Sequence, residues 1–191
     1  MYKCLSVLMA TVLAASAGVG EKIVEAARQQ VGVTLTYDPA YVSMEYPGGD
    51  VPREKGVCTD VLIRALRDGL EQDLQKLVHE DMKANFGKYP KIWGLKGTDR
   101  NIDHRRVPNL MAFFTRKHEK LALPDEAAEG DFKAGDIVTC TVPPNLPHVM
   151  IVSNKTNARG LPLVIHNIGG GAQEEDRLGA FPLTGHFRWK E

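Results

Sequence analysis

Net charge is missing from this chain: 24 basic residues stand against 24 acidic ones. Such a balance argues against nucleic acid or an anionic membrane surface as the main partner. Cysteine is scarce, with three in 191 residues. Apolar runs long enough for a confident membrane span are missing as well. So are internal repeats, low-complexity tracts and any sign of a second domain. Metal-ligand spacing of the His-x-x-x-His kind does not occur, so His79, Asp81, Asp103 and His104 are not read as a metal site. Gly169-Gly170-Gly171 is followed by neither a Lys-Ser/Thr pair nor a helix start, which excludes a phosphate-cradling loop. No cofactor is expected.

What is present begins with an address. Lys3 supplies a basic start, Leu5 to Ala15 is apolar apart from Ser6 and Thr11, and Ala15-Ser16-Ala17 is a small-x-small cleavage site. Residues 1–17 therefore read as a secretory signal, residues 18–191 as one domain, and the location as periplasmic or secreted. Cleavage removes Cys4 and leaves Cys58 and Cys140. In an oxidising compartment such a pair invites a disulfide, the structural rival to any catalytic role.

Cys58 is the most informative residue. A helical pattern starts directly after it, with Val61, Leu62, Ala65 and Leu66 on one side. Unpaired backbone N–H groups and the positive end of the helix dipole favour thiolate there, so a lowered thiol pKa is expected. Two later strand-like runs each carry a histidine, His148-Val149-Met150-Ile151-Val152 and Leu163-Val164-Ile165-His166-Asn167. A cysteine hydrolase needs a nucleophile, a base and a group that orients the base; Cys58, His148 and His166 are assigned those roles. Asn167 should face the opposite side of its strand from His166. Tyr46 and Asp60 are counted as substrate-binding or supporting residues. Asp103-His104-Arg105-Arg106 reads as a carboxylate-binding run or an internally paired turn.

The remaining pattern predicts helices over 21–31, from Cys58 to near Gly69, over 73–86, and from Val107 through Phe114 with Pro108 in its first turn. Strands are expected at 136–142, 148–153, 162–168 and 185–189, paired as an antiparallel sheet. Helices followed by a small antiparallel sheet mean an α+β fold.

Tyr46-Pro47-Gly48-Gly49, Val57-Cys58-Thr59-Asp60, Lys133-Ala134-Gly135-Asp136-Ile137-Val138 and His148-Val149-Met150-Ile151-Val152 resemble the ordered motifs of NlpC-type papain-like cysteine peptidases. Val57 replaces the aspartate that precedes the cysteine in that pattern, and Thr59-Asp60 replaces Ser-Gly. Over roughly residues 30–189 the chain more closely resembles the bacterial family named domain of unknown function 1287, through Gly56-Val57-Cys58-Thr59-Asp60, Asn101-Ile102-Asp103-His104-Arg105-Arg106 and His166-Asn167-Ile168-Gly169. The NlpC resemblance implies a papain-like fold and an exported cysteine peptidase or amidase, with peptidoglycan or another amide as substrate. Acyl transfer and a toxin role are variants of that chemistry. The alternative is a non-catalytic periplasmic binding or structural module with a vestigial site.

Overall fold

The computed structural model describes residues 17–128 and 130–190; the proposed signal segment falls almost wholly outside them. Helix α1 (Val19–Arg28) buries Ile23, Val24, Ala26 and Ala27 on one face. It ends earlier than the expected 31 because the chain turns at Gln29–Gly32, and Gln30 donates to the carbonyl of Val61. Two short strands follow, β1 (Thr36–Tyr37) and β2 (Lys55–Gly56), paired in parallel. Helix α2 (Cys58–Leu70) then crosses α1 so closely that a Cβ on Gly69 would lie 2.6 Å from the carbonyl oxygen of Lys22. Any larger residue there would force the helices apart.

Helix α3 (Leu74–Ala84) opens on Asp73, whose carboxylate accepts from the Gln75 N–H as an N-cap does. Helix α4 (Val107–Lys117) carries Pro108 in its first turn, where no N–H is needed. The strands β3 (Glu119–Lys120), β4 (Ile137–Val142), β5 (Leu146–Thr156), β6 (Pro162–Asn167), β7 (Ala172–Glu175) and β8 (Leu183–Arg188) form one antiparallel sheet in the order β3-β8-β4-β5-β6-β7. The fold is thus α+β, with four α-helices among the described residues.

Strand alternation divides the core into two layers. Ile137, Val149, Ile151, Ile165 and Phe187 pack with the helices. Val138, Cys140, Met150, Val152 and Val164 pack with Phe132 and Leu178 from the connecting loops. No helix among the described residues is long and apolar enough to cross a membrane.

Candidate active site

Cys58 is the first residue of α2, and everything around it holds that helix start in place. Asp60, three residues beyond Val57, accepts the Val57 N–H at 2.7 Å. This is one half of a capping box, since a valine at the cap has no side-chain acceptor to return. The same carboxylate takes a two-pronged bond from Arg105, 2.9 Å at each prong, in a pair exposed by only 2% and 4%. Asp60 is therefore a supporting residue. Gly56 leaves no room for a side chain, as a Cβ there would meet Asp60 Oδ2 at 3.0 Å. Asn167 donates to the carbonyls of Gly56 and Thr36, at 3.0 and 3.2 Å. Its amide ties the end of β6 to the loop that delivers the cysteine, a role its strand position alone did not disclose.

Arg64 is a second support without a sequence signal. Fully buried, it pairs with Asp50 and donates to the carbonyls of Val51 and Lys55 and to the Thr34 hydroxyl. A buried guanidinium so completely bonded locks the loop before Cys58 onto α2.

The thiol opens on a cavity of about 290 Å³, with Tyr37, Trp93, Arg105, Arg106 and Pro147 among its walls. Tyr37 is the tyrosine at this site. Burial, with Cys58 and Asp60 adding, pushes its hydroxyl up to about 12. Tyr46 stands instead against the edge of His79, ring centres 5.2 Å apart, and beneath Arg100. It is not part of the cavity wall. A larger hollow of about 760 Å³, lined by residues such as Leu123, Arg159 and Phe181, contains none of the predicted site residues.

His148 and His166 are brought together. Nε2 of His148 lies 2.7 Å from Nδ1 of His166, and Nε2 of His166 lies 3.0 Å from the Glu175 carboxylate. A carboxylate only accepts, so Nε2 of His166 carries the proton and its Nδ1 is the acceptor. Nε2 of His148 then carries a proton too, leaving Nδ1 of His148 as a free lone pair. The network thus selects the tautomer that a general base requires. Glu175 was missed in the sequence because β7 is a short polar edge strand whose Gln-Glu-Glu reads as a turn after Gly169–Gly171.

Cys58 approaches this relay only at the backbone: the N–H of Val149, next after His148, is near enough to favour the thiolate, and neither histidine ring is part of the Cys58 cavity wall. The ring hydrogen bonds of the two histidines run to each other and to Glu175, none to the thiol. The expected lowering of the thiol pKa is reversed. Burial pushes Cys58 up to about 11, outweighing the backbone N–H groups of Val149, Thr59 and Cys58 itself. Burial and the neighbouring His166 take His148 down to about 3. The resting pair is neutral thiol and neutral imidazole, because neither ion is solvated enough to form. Cys58 and Cys140 are free thiols; Cys140, opposite His148 in the β4–β5 ladder, is fully buried, and burial raises it to about 12.

Asp81 and the glycine run have structural roles. Asp81 pairs with Arg116 and accepts from Tyr89. Among the described residues no group of three His, Cys, Asp or Glu could hold a metal ion. The glycine run is the β6–β7 turn, closed by Asn167 accepting the Gly169 N–H. Asp103–Arg105 is a 3-10 turn leading into α4.

The buried histidines predict an acid-sensitive fold. Burial lowers His104 to about 3, His118 to about 4 and His148 to about 3, and depresses His166 against the pull of Glu175. Unfolded histidine binds its proton near 6.5. Below that pH the unfolded chain holds more protons than the folded one, so stability is full above about 6.5 and falls towards the folded values. The melting temperature should drop clearly from pH 7.5 to pH 5. An unchanged value would contradict the neutral buried imidazoles.

Comparison with known proteins places these residues in a family context. The family described as Domain of unknown function (DUF1287) matches residues 24–189. "Uncharacterized protein YijF" of Escherichia coli (strain K12) is 54% identical over 179 residues, spanning 94% of this chain and 86% of that protein.

Proposed function

The chain belongs to the family of domain of unknown function 1287, whose description names no reaction, and from the chemistry of its site we propose an exported cysteine amidohydrolase of papain-like, NlpC-type architecture. The observation that carries this reading is the relay His148–His166–Glu175, which leaves a free lone pair on His148, next in the chain to the Val149 N–H that favours the Cys58 thiolate. In the proposed reaction Nδ1 of His148 takes the thiol proton as Sγ attacks the amide carbonyl. Backbone N–H at the start of α2 receives the oxyanion. The imidazolium then hands its proton to the leaving amine, and water, activated by the same base, releases the acyl group. Because the resting pair is neutral, proton transfer accompanies attack and the thiolate is not stored. Apo contacts that are loose in such sites tighten with substrate. The proposed substrate is a peptide or amide bond of peptidoglycan, met after export on the residue 1–17 signal.

The neutral thiol also favours a second reading, a periplasmic binding module in which the site is vestigial. Digestion of purified peptidoglycan by the mature protein, with new amino and carboxyl termini identified by mass spectrometry, separates the two. New termini from wild type support hydrolysis; an unaltered digest at all enzyme loadings counts against it. His148→Ala should lower the rate by about 10²–10⁴-fold, the scale of general acid–base catalysis. His166→Ala and Glu175→Gln should cost less, since they orient the base. A His148→Ala protein as active as wild type would remove His148 from the mechanism.

A further inference from the structure

The wall of the Cys58 cavity has a charge pattern that hydrolysis alone does not require. Its lining includes Arg105 and Arg106 but no aspartate or glutamate. The two arginines differ in what their forks do. Arg105 is saturated: it holds Asp60 through two nitrogens and donates to the carbonyls of Ala40 and Asp38. Arg106 makes no side-chain hydrogen bond among the described residues. Its nearest counter-charge, Asp103, lies 3.5 Å away, and NH1 of Arg106 and Oδ1 of Asp103 are both buried without a hydrogen-bond partner.

Position reinforces this. The Arg106 guanidinium carbon lies over Trp93, 4.2 Å from the ring centre, which holds the fork at the cavity; apart from its ion pair with Asp103 the fork makes no side-chain hydrogen bond among the described residues. Arg106 is also the N-cap of α4, and Val107 and Pro108 of the first turn line the same cavity. The start of α2 lines it as well, through Val57 and Cys58. Two helix starts thus add positive potential to an arginine whose hydrogen-bonding capacity is unfilled.

We infer that Arg106, braced by Trp93, binds a carboxylate of the substrate, so that the amide presented to Cys58 comes from an acidic peptide or a peptide with a free C-terminus close to the scissile bond. The inference rests on the reading of Cys58 as the nucleophile of this cavity. A planar fork suits the two oxygens of a carboxylate. A cavity of about 290 Å³ sits at the small end of ligand sites and holds little more than the groups flanking one bond.

The test compares two thiol reagents of similar size on the full mature chain, anionic iodoacetate and neutral iodoacetamide. Each forms a bond from Sγ to carbon as iodide leaves and the thiol proton passes to buffer. Rates at Cys58 are read by peptide mass spectrometry, and the readout is the iodoacetate-to-iodoacetamide ratio in wild type, Arg106→Gln and Arg106→Lys, each checked by circular dichroism. Charge-assisted hydrogen bonds are worth about tenfold or more, so the ratio should fall about tenfold in Arg106→Gln and partly recover in Arg106→Lys. Equal ratios in wild type and Arg106→Gln overturn the carboxylate site and leave the nucleophile reading standing. If neither reagent labels Cys58 in wild type, the nucleophile reading is the one that suffers. The carboxylate site is then decided by titrating N-acetylglycine against N-acetylglycinamide and following the indole signals by NMR. A preference for the acid that disappears in Arg106→Gln supports it, and no preference overturns it.

Discussion

Folded Cys58→Ala is expected to release no new termini from peptidoglycan. The loss should approach the scale of about 10⁶-fold known for nucleophiles that act as a unit with their base. No neighbouring group can replace the sulfur: the other free thiol, Cys140, is fully buried among Val138, Met150 and Val152 on the second core. Cys140→Ser therefore serves as the contrast. It places a hydroxyl in apolar surroundings, which costs about 1–3 kcal/mol of stability when unpartnered, and leaves the cavity wall untouched. The measurement is a kinetic comparison of wild type and both variants on one substrate, with folding checked by circular dichroism. Full activity in folded Cys58→Ala would end the enzymatic reading, whatever the behaviour of the histidines.

The largest effect on stability is expected at Arg105. Removing it strands the Asp60 carboxylate, a group 4% exposed, and frees the carbonyls of Ala40 and Asp38. Breaking one side of a buried pair costs about 3–5 kcal/mol, because the remaining charge is left unsolvated. Arg105→Ala should show that loss in urea unfolding. The double variant Asp60→Leu/Arg105→Met should recover part of it, since no buried charge remains. The single variant should also loosen the start of α2, because Asp60 then has only the Val57 N–H to hold. An Arg105→Ala protein within about 1 kcal/mol of wild type would show that the pair does not organise this corner.

Much of the architecture was legible in residue order. The apolar spacing after Cys58, the one-sided apolar face within 73–86 and Pro108 in a first turn are local signals, and each marks a helix that is present. The apolar runs around Val149 and Ile165 likewise mark strands of the sheet. What escaped were elements whose partners lie far along the chain. The two-residue strands β1 and β2 exist only because residues 36–37 meet residues 55–56. β7 is polar and becomes a strand only by pairing with β6.

The site divides in the same way. Sequence by itself determined the reactive residue types and their order: a cysteine at a helix start, then histidines on successive strands. Tertiary structure decided that the two histidines meet, that Glu175 completes the relay, that Tyr37 and not Tyr46 stands at the cavity, and that Arg105 is consumed by Asp60 while Arg106 keeps a fork with no side-chain hydrogen bond among the described residues. It also reversed the charge state expected of the thiol. A helix start stabilises thiolate through backbone N–H groups such as those of Cys58 and Thr59, a local effect visible in residue order; burial destabilises it through the loss of water, and that follows from the core Cys58 shares with distant residues such as Ile151 and Ile165.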